Sequence, residues 1–156
     1  MIDKNQKKKA GKIDKVDTKD FRSKIKNFAV LKKEYDFPDE NLTLGMMLRK
    51  LSEYLEFYMK IIQQILQPEE FSSLYECTAF DDKEKSELLD LYKQIIITHR
   101  EMLKAEVLNE EKNSLSTLQF AHEEIRSLKP KIVKILDKMK ESWKKTSEES
   151  HMQYFG

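Results

Sequence analysis

The segment from Leu42 to Leu66 is the longest strongly apolar stretch of the chain, and it limits the possible folds more than any other feature. At about 100° per residue, its apolar side chains fall within one arc of about 140° on a helical wheel. They are Leu44, Met47, Leu48, Leu51, Tyr54, Leu55, Tyr58, Ile61, Ile62, Ile65 and Leu66. An arc this wide suits a helix that contacts two neighbouring helices, so the sequence predicts a helical bundle.

Two further stretches have apolar side chains at helical spacing, which gives three long helices. They are expected to run from the Asp36–Glu40 boundary to about Gln67, from Asp81 or Asp82 to about Leu108, and from a turn after Asn109 to about Lys145. Pro130 lies in the last helix, where its missing amide should kink or split it. Only three Gly and three Pro occur in 156 residues, which favours long helices over many turns.

The connection near Asn109 has two interpretations. A continuous wheel would place the apolar side chains after Asn109 opposite those before it, and Asn tolerates the left-handed conformation that ends a helix. A tight hairpin around Asn109–Ser114 is therefore favoured, and the alternative is one very long helix that bridges two partners.

Two shorter helices are also expected. One should be capped by Asp17 or Thr18 and run to about Tyr35. The other, about Pro68–Glu76, should cover one end of the core with Phe71, Leu74 and Tyr75.

The predicted fold is an all-α, mostly antiparallel bundle of three long helices, the last kinked at Pro130, with one or two short helices. Residues 1–16 are expected to form a disordered basic arm, because their lysines repel one another and their apolar residues have no period. Residues 17–145 should form a single domain, and residues 146–156 a frayed tail.

Charge is distributed unevenly along the chain. Residues 1–33 contain 12 Lys and Arg against four acids, residues 34–125 contain nine against 20, and residues 126–145 contain eight against two. Basic segments of this kind can bind the phosphates of RNA or DNA. The candidate phosphate-binding residues are Lys7, Lys8, Lys9 and Lys12 in the arm and Lys131, Lys134 and Lys138 in the last helix.

No sequence motif points to catalysis, so the chain is expected not to be an enzyme and to use no cofactor. It lacks a glycine-rich phosphate loop, a nucleophile elbow and an HExxH zinc motif. His99 and His122 should face each other across the hairpin, with Glu106 on the same face. A metal site is nevertheless not predicted, because no fourth ligand is visible.

The single cysteine, Cys77, fits a reducing compartment, and no apolar run is long enough for a membrane span. These features, and the absence of a secretory signal pattern, predict a cytoplasmic protein.

The expected function is a non-enzymatic module that binds a protein partner or itself. Met46, Phe57 and Ile97 are the candidate contact residues, because each lies off the main apolar stripe of its helix. The alternative is an RNA-, DNA- or ribosome-associated protein that uses its basic segments. Neither the partner nor the oligomeric state follows from the sequence, nor whether the basic segments contact nucleic acid, a membrane or the acidic middle of the chain.

Overall fold

A computed structural model describes the backbone of residues 20–153 and the side chains of residues 21–145. Over that range it contains six α-helices, one 3₁₀ turn and no strand. The helices are α1 (Asp20–Lys24), α2 (Phe28–Tyr35), α3 (Leu44–Leu66), α4 (Phe71–Glu76), α5 (Asp82–Leu108) and α6 (Glu111–Gln153), and the 3₁₀ turn is Cys77–Ala79. The predicted all-α bundle is confirmed, with α3, α5 and α6 as its three long helices. The predicted arm, residues 1–16, lies outside the described residues.

The central helix α3 begins later than predicted. Asn41 has a positive φ of 55°, which interrupts any helix that starts at the Asp36–Glu40 boundary. Thr43 then caps the helix, because its hydroxyl accepts a hydrogen bond from the amide of Met46 at 3.2 Å. Beyond the cap, the predicted apolar stripe is the centre of the core, and Leu51, Leu55 and Ile62 are fully buried.

The turn between α5 and α6 is a hairpin, and the alternative of one continuous helix is wrong. The Asp81 carboxylate and the Glu84 side chain form a reciprocal cap at the start of α5. Asn109 ends the helix in the left-handed conformation, with φ 50° and ψ 38°. Because α6 starts at Glu111, the two helices run antiparallel with almost no loop.

Two contacts fix α5 antiparallel to α3 as well. Arg49 donates a hydrogen bond to Glu106 at 2.8 Å, and His99 Nε2 lies 3.3 Å from the Glu56 carboxylate. The partners are seven residues apart on each helix, which is close to two turns. Since α5 is antiparallel to both α3 and α6, those two run parallel to each other.

The N-terminal helical region is split, so the prediction of one helix to Tyr35 is wrong. Asn27 adopts a left-handed conformation between α1 and α2, and its carbonyl accepts from the amides of Val30 and Leu31. The predicted caps, Asp17 and Thr18, lie outside the described part of the chain. The short helix α2 docks on the core through Leu31 and Tyr35.

Of the three residues predicted to cover the end of the core, only Tyr75 is partly buried, and it packs on α6 outside the core cluster. The Tyr75 hydroxyl donates to the carbonyl of Ser142 at 3.1 Å, and its ring centroid lies 4.5 Å from that of Trp143. Phe71 and Leu74 are exposed instead. The cap formed by Glu70 and Ser73 starts α4 at Phe71, and the side of α4 that faces the core is occupied by the buried Ser73.

The last helix continues further than predicted. It runs through Pro130 without being split and extends eight residues beyond Lys145, to Gln153, where a frayed tail was predicted. Pro130 has no amide proton, so the helical bond to the carbonyl of Arg126 is absent. At 1.5 Å per residue, α6 is about 64 Å long and α5 about 40 Å, so the C-terminal end of α6 projects beyond the start of α5.

Candidate interaction surface

The predicted pairing of His99 with His122 is wrong. His99 turns towards Glu56 on α3, whereas His122 Nδ1 lies 2.9 Å from the hydroxyl of Tyr35 on α2. Helices outside the hairpin supply both partners, α3 for His99 and α2 for His122, which the two-helix wheel could not reveal. No group of three or more His, Cys, Asp or Glu residues is arranged to hold a metal within the described residues.

The three predicted contact residues are exposed but do not form one patch. Met46 is 44 % exposed, Phe57 57 % and Ile97 63 %. Met46 and Phe57 are eleven residues apart, close to three turns, so they share the outer face of α3. Ile97 is on the outer side of α5, and nothing brings it to the other two.

A groove of about 550 Å³ lies between the first half of α5 and the second half of α6. Its floor is apolar and consists of Phe80, Leu88, Leu91 and Ile135. Leu91 is only partly buried, although it packs against the core. The groove therefore presents apolar surface at the seam of two helices, where a further helix would complete the packing.

The two rims of the groove carry opposite charges. Glu84, Glu87 and Asp90 line it from α5, and Lys131, Lys134 and Lys138 line it from α6. The three candidate phosphate-binding lysines of α6 thus share one flank, as predicted, but each has an acidic rim opposite. Lys7, Lys8, Lys9 and Lys12 lie outside the described residues.

One ion pair joins the rims and fixes their register. Lys138 donates to Glu84, and this hydrogen bond lowers the pKa of the Glu84 carboxyl, with help from the Asp81 amide. Stepping one turn along each antiparallel helix places Glu87 level with Lys134, and a further step places Asp90 level with Lys131. Neither Lys131 nor Lys134 forms an ion pair with any described residue.

Exposed apolar side chains extend the groove towards the hairpin. Gln94 donates to Glu124 across the two helices at 2.6 Å. Ile97 lies one turn from Gln94 on α5, and Phe120 one turn from Glu124 on α6. Phe120 is 46 % exposed. Ile97 is therefore the one predicted contact residue that adjoins the groove.

Sequence reasoning missed Phe120 and the whole acidic rim. The acids of α5 were available as a signal, since Glu84, Glu87 and Asp90 recur at helical spacing on one face. Their significance depends on which flank of α5 meets α6, and only the packed structure supplies that information.

A second polar site lies at the opposite end of the bundle, around the buried His122. Burial lowers the pKa of the imidazole; Arg126 acts in the same direction, and Glu34 and Glu123 oppose it. Burial also raises the pKa of the Tyr35 hydroxyl, so this group remains a proton donor. The Tyr35 O–H has no other acceptor among the described residues, and we infer that it donates to Nδ1 of His122.

This burial predicts a pH-dependent stability. The unfolded chain takes up a proton at His122 near pH 6.5, whereas the folded chain takes it up only at lower pH, so stability should fall as the pH drops below about 6.5. Thermal melting at about pH 7.5 and about pH 5.5 measures the loss. In His122→Gln the loss between these two pH values should be smaller. Carboxylates contribute equally to both proteins, so an equal loss in the variant would contradict the assignment.

No helix in the described residues is both long and apolar enough to cross a lipid bilayer. No known protein family, curated protein sequence or solved structure shows a significant match to this chain.

Proposed function

We propose that this chain is a non-enzymatic interaction module that self-associates, with the α5–α6 groove of one copy packed against the same groove of a second copy. The observation that carries the proposal is the apolar floor between an acidic rim and a basic rim. A surface of this kind is self-complementary, because each rim needs the opposite charge and a second copy provides it.

The register of the rims selects one arrangement of the two copies. A two-fold axis that runs along the groove places α5 of one copy over α6 of the other at the same height. Glu87 then faces Lys134 of the second copy, and Asp90 faces Lys131. A two-fold axis across the groove would place α5 over α5, so that acids oppose acids. Complementary rims guide association and disfavour the wrong arrangement.

The proposal accounts for two lysines that form no ion pair with a described residue. Lys131 and Lys134 would gain carboxylate partners in the dimer, and the exposed Ile97 and Phe120 would be covered at its edge. The half-buried Cys77, which has no disulfide, is consistent with a reducing compartment such as the cytoplasm.

The α6 lysines give little support to the alternative function, which is binding of RNA or DNA phosphates. The acids of α5 lie level with them and would repel a phosphate backbone. That alternative now rests mainly on the basic charge of residues 1–33.

Two leucines of α5 provide a matched test of the groove. Leu91 lines the groove, whereas Leu89 is two residues away and points to a different side of the helix. We expect Leu91→Gln to weaken the dimer about tenfold, because a polar group enters the apolar interface in both copies. Leu89→Gln should leave the dimer unchanged. Light scattering across a concentration series measures both.

A monomeric parent protein at every concentration would contradict self-association. Equal weakening by the two substitutions would place the interface elsewhere. Melting temperatures of both variants confirm that each one is folded.

A further inference from the structure

A second cavity, of about 440 Å³, lies between the α1–α2 segment and the first half of α6. It shares no lining residue with the α5–α6 groove. Its apolar surface comes from Ile25, Val30, Leu31, Leu115 and Leu118. A cavity of this size is within the range that holds small-molecule ligands.

The cavity has an excess of positive charge. Lys26, Lys112 and Arg126 line it, and none of them forms an ion pair with a described residue. Glu123 is the one acid among the lining residues. Lys24 also lines the cavity, but its ammonium group bonds to Glu111 at 2.6 Å. The lining therefore contains three cations without an ion pair among the described residues, against one acid, and the cations are spread along the cavity.

A buried polar side chain also reaches this cavity. His122 is only 9 % exposed, lines the cavity, and uses Nδ1 for the contact with Tyr35. Because Tyr35 donates to Nδ1, the neutral ring carries its proton on Nε2, which has no hydrogen-bond partner among the described residues. Nε2 of His122 is also accessible to solvent. Among the described residues, Nε of Arg22 is the one side-chain nitrogen or oxygen that is fully buried without a hydrogen-bond partner. The ring thus offers an N–H donor one turn from Arg126, whereas Lys112 is ten residues, about 15 Å, away along α6.

We propose that this cavity binds a phosphate monoester with a small apolar body. The phosphate has three strong acceptor oxygens, which match the two guanidinium donors of Arg126 and the N–H of His122 better than a two-oxygen carboxylate would. The Arg126 guanidinium can donate two parallel hydrogen bonds to phosphate oxygens. The His122 N–H supplies a further donor, and the apolar body packs against Ile25 and Leu115.

Calorimetric titration of the full chain with phenyl phosphate tests this site. Inorganic phosphate and phenol serve as the two partial probes, one without the apolar body and one without the charge. We expect phenyl phosphate to bind more tightly than either. Arg126→Gln should weaken phenyl phosphate binding at least tenfold, because it removes a charge-assisted pair. Arg100→Gln is the matched control, since Arg100 is exposed on α5 and does not line the cavity.

Each other result overturns the proposal. Equal binding of phenol would show that charge is irrelevant, and equal binding of inorganic phosphate would remove the role of the apolar body. Equal loss in Arg126→Gln and Arg100→Gln would indicate a general charge effect. Lys112→Gln is a second control and should leave binding nearly unchanged, because Lys112 is about 15 Å from His122 along α6. Arg126 and Lys112 are both exposed, so their variants should stay folded. The cavity shares no lining residue with the α5–α6 groove, so dimerisation should not change the titration.

Discussion

Leu55→Ala should lower the free energy of unfolding by about 2–5 kcal/mol, which is the usual cost of removing a large buried aliphatic side chain. Leu55 is fully buried in the middle of α3, where the helix meets both other long helices. The truncation removes apolar contacts and leaves a cavity that the packed neighbours cannot close. Denaturant unfolding followed by circular dichroism measures the change.

Phe57→Ala is the matched control, two residues further along the same helix. Its side chain is on the outer face of α3, so the change should stay within about 0.5 kcal/mol. The dimer should also be unaffected, because Phe57 is not part of the groove. If Phe57→Ala destabilised the fold as much as Leu55→Ala, the assignment of the core face of α3 would be wrong.

Charge reversal at the groove should have the second large effect. Glu87→Lys places a lysine opposite Lys134 of the second copy, and Lys134→Glu places an acid opposite Glu87. An exposed ion pair contributes about 0.2–1 kcal/mol, and reversal replaces that attraction with repulsion of similar size. The change occurs twice in a two-fold dimer, so we expect the dimer to lose about 1–4 kcal/mol of association free energy. Its dissociation constant should then rise about 5-fold to 1,000-fold. Sedimentation velocity measures it.

The double variant Glu87→Lys with Lys134→Glu restores opposite charges across the interface. It should dimerise nearly as well as the parent protein, and less strongly as salt rises. Failure of the double variant to recover would mean that these two residues do not face each other in the dimer.

The sequence predicted the helices best where local signals agree. Asp81 begins a reciprocal cap and Asn109 tolerates a left-handed conformation, and α5 has the predicted ends at both sites. The body of α3 followed from the spacing of its apolar residues alone. Its start was misplaced because the Asp36–Glu40 segment resembles a helix start, although Asn41, like Asn109, is a residue type that tolerates a positive φ.

The candidate surface was only partly predictable. Distance from the apolar stripe identified exposed residues, and Ile97 was among them. Exposure alone does not show which helices are neighbours, so Met46 and Phe57 on α3 gave no joint surface with Ile97 on α5. The groove requires the antiparallel register that Glu84 and Lys138 define, and His122 found Tyr35 because α2 docks against α6. Both are tertiary facts that a helical wheel does not contain.

Mixing the two single charge variants tests self-association most directly. In a heterodimer of Glu87→Lys with Lys134→Glu, residues 87 and 134 of opposite chains always have opposite charges. Within each chain, residues 87 and 134 have like charges on the two rims of its own groove. We predict that each variant alone dimerises more weakly than the parent protein and that an equimolar mixture recovers dimer close to the parent level. A mixture that dimerises no better than the single variants, beside a parent protein that dimerises, would contradict a two-fold contact between the α5–α6 grooves.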